Sequence, residues 1–417
     1  MVNIGMKKIY TKANECRVCS SQSMTSVLNL GVQALTGVFP ATAEEVVPEG
    51  PVELVWCSDC GLLQMAYSYE PEEMYGDNYG YRSGLNASMV KHLTDKVRYL
   101  QGIVSLNADS VVLDIGSNDA TSLKAYQVEG LRKIGIDPTG GKFKKYYTKD
   151  ITLVEDFFSA DAFRSVEPRK ANIVTSIAMF YDLENPIAFA RQIGEVLDDN
   201  GVWHFEQSYM PSMLRTNSYD TICHEHLEFY SLDVVKHILS EANFKVVDVQ
   251  MNAINGGSFA VTAAKKDSSL PENHAVINWL LEQEKAMGLS TPKPYRDFEE
   301  RVFRHRDDLV RLIRALNADG KTVLGYGAST KGNVMLQFCG FTTEDIPAIA
   351  EVNEDKFGCV CPGTGIPIIS EAEARAMEPD YFIVLPWHFK NSILEREKEF
   401  LERGGKMIFP FPEIEII

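Results

Sequence analysis

The sequence predicts an α/β protein: two doubly wound units behind a cysteine-bearing N-terminal domain. Three observations carry that expectation. Short buried strand-like runs alternate with helical patterns from about 109 to 265, and the same alternation starts again at Lys321. Two Cys-x-x-Cys pairs, Cys16/Cys19 and Cys57/Cys60, stand ahead of both in a segment rich in turns. A chain of 417 residues is also too long for one ordinary core. The expected division is 1–80, 81–267, a helical linker at 268–318, and a smaller unit at 319–417.

Composition narrows the class. Hydrophobic residues make up 45% and charged residues 24%, ordinary for a globular chain. A formal net charge of −17 repels phosphate backbones, so nucleic acid is not an expected partner. No apolar run approaches the roughly 18 residues that cross a bilayer, and Met1–Lys8 has no apolar signal core. The expected location is the cytoplasm, with no membrane partner and with the oligomeric state open, a monomer included.

Residues 1–80 read as loops with short strand-like runs such as Val52–Trp56 and little core of their own. In a large chain without an export signal, paired Cys-x-x-Cys motifs favour a metal over disulfides. Each motif can set two thiolates on one ion, and Gly61 suits the tight turn after Cys60. Four thiolates make a closed, structural zinc site, which would substitute for the missing core. Cys223, Cys339, Cys359 and Cys361 are scattered and read as small core fillers.

A helix is expected near 85–104, with Met89, Leu93, Val97 and Leu100 at helical spacing. Strands follow at Val111–Ile115, Lys133–Asp137, Ile151–Val154, Ile173–Ile177, Val202–Glu206, Lys245–Gln250 and Ser258–Ala264. No long helix separates the last two, which predicts an antiparallel hairpin at one edge. The first strand ends in Asp114-Ile115-Gly116-Ser117-Asn118-Asp119, and Asp137 closes the second about 20 residues past Gly116, the interval at which an acid meets a ribose diol. The turn is not Gly-x-Gly-x-x-Gly. Asp114 and Asp119 would repel a pyrophosphate but suit a cationic sulfonium. The central unit is therefore expected to be a class I methyltransferase (Rossmann-like) domain holding S-adenosylmethionine. Asp156 and Phe157 are expected near the adenine, with Ser176, Ile177 and Met179 flanking the donor.

The segment Tyr219–Ser231 is dense in titratable groups, with His224, Glu225 and His226 consecutive. Histidine titrates near neutrality and can take a proton from carbon. His-x-His with Asp220 could instead bind a metal, and capping or surface roles also fit. Gly256 and Gly257 lie in the last hairpin, either as its turn or to let backbone approach a substrate.

Charged helical sequence over 268–318 bridges to the last unit. There Thr322–Tyr326, Ile346–Glu351, Tyr381–Leu385 and Lys406–Phe409 read as strands and Lys331–Phe338 as a helix. Gly325-Tyr326-Gly327-Ala328-Ser329-Thr330-Lys331-Gly332 follows a strand and opens that helix, so helix-start amides and Lys331 would suit a diphosphate. Glu351 stands near the ribose interval. The alternative is a unit used only for packing.

Taken in order, these motifs resemble the sugar C-methyltransferases that branch nucleotide-linked deoxysugars, over essentially the whole chain. The resemblance implies a zinc-bearing N-terminal domain, a donor-binding domain and a C-terminal α/β domain around a nucleotide 4-keto sugar, a small-molecule partner. Its Glu-His pair falls on Glu225-His226, with His226 as the base oriented by Glu225. Its N-terminal tyrosine motif falls on Tyr79 and Tyr81, either of which could reach the active site. Many members carry tyrosine where this chain has Cys223, and a histidine around Ile177–Phe180 where this chain has none. One nucleotide pocket would hold the donor and the other the acceptor's handle. O-methylation, or ligand sensing by a zinc-containing binding protein, are the competing readings.

Overall fold

A computed structural model describes residues 9–70, 74 and 82–417. The N-terminal segment is more regular than its composition suggests. Met24–Ala34 pairs antiparallel with Glu49–Cys57, which pairs with Leu63–Met65. The fourth strand, Glu228–Phe229, arrives from the central unit. The apolar face of this sheet has no private core. Val27, Leu28, Val52, Leu54 and Trp56 join one cluster with Met210, Tyr219, Phe298 and the interior of the last unit. Cys16, Val18, Cys57 and Leu62 instead join the core of the central unit. Shared burial explains why so small a sheet is ordered.

The central sheet has seven strands in the order Phe244–Asn252, Ser258–Lys265, Leu197–Ser208, Ala171–Ile177, Val111–Ile115, Arg132–Ile136, Ile151–Val154. The expected edge hairpin is present: Ser258–Lys265 runs antiparallel to both of its neighbours. The rest of the sheet pairs in parallel, and the order reverses between Val111–Ile115 and Ala171–Ile177. That reversal opens a crevice at the carboxyl ends of the two strands. The helix Ala87–Ile103 starts at Asn86, whose side chain caps Ser88 N, and buries Leu93, Val97 and Leu100. His92 and Lys96 on the same helix contact buried Glu206, at 2.6 and 2.9 Å. Burial pushes that carboxyl up, but the contacts with His92 and Lys96 outweigh it and hold it at about 2.

The bridging segment is two helices, His274–Met287 and Lys293–Ala318. The second buries Tyr295, Phe298, Val302, His305, Leu309 and Ile313 at helical spacing. The final sheet runs Ile368–Ser370, Ile349–Glu351, Val323–Tyr326, Tyr381–Val384, Lys406–Phe409, Glu415–Ile416, parallel except for the last strand. The first and last of these strands were not expected; each is only two or three residues long. This sheet also reverses its order, between Val323–Tyr326 and Tyr381–Val384, so the chain carries two crevices of one kind.

Candidate active site

Two turns of the same design build the metal site. Ser20 N donates to Cys16 O and Gly61 N to Cys57 O, both at 2.9 Å, and Ser20 and Gly61 both have positive φ. The thiol sulfurs face each other, Cys16 to Cys60 at 3.4 Å and Cys19 to Cys57 at 3.6 Å, and all four lie within 4.8 Å. Zinc–sulfur bonds of about 2.3 Å in a tetrahedron need sulfurs a little under 4 Å apart, so the cage fits zinc. Among the described residues this is the one group of His, Cys, Asp and Glu side chains placed to share a metal. Among the described residues no metal set forms around His224, His226 and Asp220.

In the central crevice, Gly116 takes φ +71 and the Met179 side chain lies 3.4 Å from where its Cβ would be. Asp137 braces the turn: Asn118 N donates to Oδ2, and Thr139 N and Oγ1 donate to Oδ1, all at 2.7 Å. Asp114 lies beneath, accepting Thr175 Oγ1 at 2.5 Å, and burial pushes its carboxyl up to about 7. Gly116, Asp137, Ile177 and Met179 thus gather at one strand-end opening. Other expected donor residues turn elsewhere. The Ser117 hydroxyl faces Tyr147 OH at 2.8 Å, and the Ser176 hydroxyl accepts buried Trp203 Nε1 at 2.9 Å. Asn118 and Asp119 accept Ser83 N and Gly84 N, each at 3.0 Å, and so clamp the chain ahead of the helix onto the glycine turn. Asp156 caps Phe157 N, and the Phe157 ring is exposed at the sheet edge.

The consecutive residues His224, Glu225 and His226 point in different directions. His226 Nδ1 is 2.8 Å from the Thr221 carbonyl. A carbonyl only accepts, so Nδ1 carries the proton and Nε2 keeps a free lone pair. Tyr181 packs on the ring at 4.3 Å. Burial, then the charge of Lys331, lower the imidazole to about 4, so it is neutral at pH 7. Contrary to expectation, Glu225 does not orient His226; Thr221 does. Glu225 Oε1 instead lies 2.5 Å from where a Gly37 Cβ would stand, a point also 3.9 Å from Thr330 Oγ1. Its carboxyl therefore sits where all three units meet, and burial pushes it up to about 7. His224 corrects another expectation. It faces the N-terminal sheet, edge-on to Tyr69 at 4.7 Å with Nε2 3.4 Å from Gly50 O, and belongs to that packing. Tyr79 and Tyr81 lie outside the described residues.

From the last unit, Lys331 reaches across to donate to Asn255 O at 3.1 Å. Trp387 covers Gly256, whose Cβ would meet the ring at 2.9 Å, and Ser212 blocks Gly257 at 2.8 Å. Gly256 therefore packs against the last unit, and Gly257 against the helix Met210–Thr216 of its own unit. Trp387 Nε1 donates to buried Asp220 Oδ2 at 2.8 Å. Tyr326 also departs from expectation: its hydroxyl donates to Glu397 at 2.7 Å and accepts Arg396 Nε at 2.9 Å, away from Lys331's contacts. Glu351 accepts Val352 N and Asn353 N with Oε1, capping its own turn. Pro386 fills the space over Gly327, 2.7 Å from its virtual Cβ. Asp220, Thr221, Tyr181, Gly37, Trp387 and His388 complete the picture. Two residues separate Trp387 and His388 from the strand Tyr381–Val384, a placement that gains meaning only once the strand order is known.

A seven-stranded sheet of this order, an acidic glycine turn at its reversal and a neutral histidine nearby define an S-adenosylmethionine-dependent methyltransferase with a structural zinc knuckle. The family comparisons agree along the chain. A zinc binding domain matches residues 16–75, a methyltransferase domain 86–249 and a C-methyltransferase C-terminal domain 253–412. The C-methyltransferase NovU of Streptomyces niveus is 30% identical over 416 residues, 99% of each chain. The chain belongs to this C-methyltransferase family. Solved structures also align with it. A Burkholderia thailandensis 1,6-didemethyltoxoflavin-N1-methyltransferase with bound S-adenosylhomocysteine is 12% identical, over 44% of this chain and 83% of that one, with a TM-score of 0.34. The glycopeptide N-methyltransferase MtfA complexed with S-adenosylmethionine is 13% identical, over 41% and 93%, with a TM-score of 0.32.

Proposed function

We propose that the protein C-methylates a nucleotide-linked keto-deoxysugar, and that His226 takes the proton from the carbon beside the ketone. One observation carries the reading: the Thr221 carbonyl fixes the proton on His226 Nδ1 and leaves the Nε2 lone pair open to receive one. S-adenosylmethionine supplies an electrophilic methyl on a cationic sulfur. Gly116, the Asn118 turn, Asp137, Ile177 and Met179 would hold it. The second crevice, beside Ser329, Thr330 and His388, would take the nucleotide, with Glu351 Oε2 toward the ribose. Glu225, free of His226, would hydrogen-bond the sugar. The free thiols that zinc needs support the cytoplasm as its compartment.

The test is a panel of nucleotide-linked keto sugars with ¹³C-methyl donor, read by carbon NMR. A new methyl bonded to carbon is expected. A methyl on oxygen, or no product across the panel, would contradict the reading.

A further inference from the structure

Removing a proton next to a ketone leaves negative charge on the ketone oxygen, and a buried site must supply a partner for it. We propose that Lys331 is the catalytic residue that receives this charge, with Asp220 as its positioning residue. The inference rests on the keto-sugar reading above.

Lys331 lies in the first turn of the helix Thr330–Cys339, yet its ammonium turns toward the other lobe. It donates to Asn255 O at 3.1 Å, and its remaining N–H groups have no protein acceptor among the described residues. Three neighbouring polar atoms are buried without hydrogen-bond partners: Asp220 Oδ1, Thr221 Oγ1 and His388 Nδ1. Native proteins rarely leave such atoms unpaired, and a cluster of them beside a cation is what a polar ligand fills. Asp220 is 2% exposed and is pinned through Oδ2 by Trp387. Thr221 is the residue whose carbonyl sets the His226 tautomer. The Lys331 charge is felt by Asp220, Cys223, His226 and His388. The helix that carries Lys331 packs on the turn Tyr219–Thr221, and the Thr221 carbonyl holds His226, so base and cation flank one turn from different units.

This differs from a diphosphate anchor, the role its place after a glycine turn suggests. Gly327 and Gly332 are filled by Pro386 and Leu385, so those glycines tighten the fold. In the step, the C–H bond breaks and its proton goes to His226 Nε2. The freed pair forms the carbon–carbon double bond, and the carbonyl π pair moves onto oxygen. Lys331 keeps its protons and donates a hydrogen bond to that oxygen, so no oxidant or reductant is needed.

The test uses zinc-loaded full-length protein with S-adenosylhomocysteine and the keto-sugar nucleotide found by the panel. Solvent deuterium entering the sugar is followed by NMR, alongside kcat, KM and the Kd of the nucleoside diphosphate. In Lys331→Met, exchange and kcat should fall about 10²–10³-fold, with KM and the nucleoside diphosphate Kd within about threefold of wild type. Asp220→Asn should lower kcat about tenfold at constant KM. If Lys331→Met loses zinc or S-adenosylhomocysteine binding, Lys331→Arg decides by the same split. Normal exchange with weakened nucleoside diphosphate binding would return Lys331 to the diphosphate and overturn the proposal. No exchange by the wild type with any keto sugar would remove the parent reading, and this one with it.

Discussion

Gly37→Ala changes one atom in the N-terminal sheet's lobe and should act on chemistry in another. The new Cβ would stand 2.5 Å from Glu225 Oε1 and 3.7 Å from its carboxyl carbon, whereas ordinary contact is 3.4–4 Å. The carboxyl must therefore retreat by about 1 Å. Gly37 does not have positive φ, so the backbone accepts alanine. The obstacle is the free end of a flexible side chain, and a rotamer adjustment costs about 1 kcal/mol. Unfolding temperature should then fall by no more than about 4 °C. A displacement of about 1 Å in a group that positions substrate can cost about 10²-fold in rate. Steady-state turnover with the keto-sugar nucleotide, beside a thermal melt, separates the two effects. Wild-type kcat in Gly37→Ala would refute the placement of Glu225 at the reacting sugar.

Metal analysis should find about one zinc per chain, and Cys60→Ser should lose it together with a large part of the melting temperature, since structural zinc can contribute about 10–16 kcal/mol. A metal-free protein of unchanged stability would contradict the cage. Gly256→Ala forces alanine into φ +86 and its Cβ to within 2.9 Å of the Trp387 ring. It should destabilise by about 1–2 kcal/mol from the backbone alone, more with the ring displaced, as read by chemical denaturation. Burial and Lys331 lower His226 to about 4, so the base is already unprotonated well below neutrality. In Glu225→Gln, which removes one of the two carboxyls pushed up to about 7, the acid limb of kcat/KM should lie below that of the wild type. Adding Lys331→Met to that variant should move the acid limb upward, because losing a nearby positive charge favours imidazolium. A limb fixed near 6.5 in both would contradict the pairing.

The central unit was the most legible part of the chain. Val111–Ile115 and Ile151–Val154 are strands over the expected residues, because apolar runs that end at aspartate, glycine or a charged turn leave few alternatives. The cysteine pairs were equally clear, since their spacing is the chemistry. The N-terminal sheet was hidden because its fourth strand, Glu228–Phe229, lies far along the chain and its apolar face is covered by Phe298 and the last unit. Local pattern also says nothing about side-chain direction after a tight turn. His224, Glu225 and His226 are neighbours in sequence, yet they face the N-terminal sheet, the three-unit junction and the Thr221 carbonyl. Tyr326 failed for the same reason, because a four-residue strand does not reveal which face its last side chain takes.

The most direct measurement is solvent-deuterium incorporation into the keto sugar by His226→Ala, with S-adenosylhomocysteine in place of the donor. The variant should bind both ligands as wild type does and incorporate no deuterium at the carbon beside the ketone, while the wild type exchanges readily. Exchange at the wild-type rate without this imidazole would contradict the account.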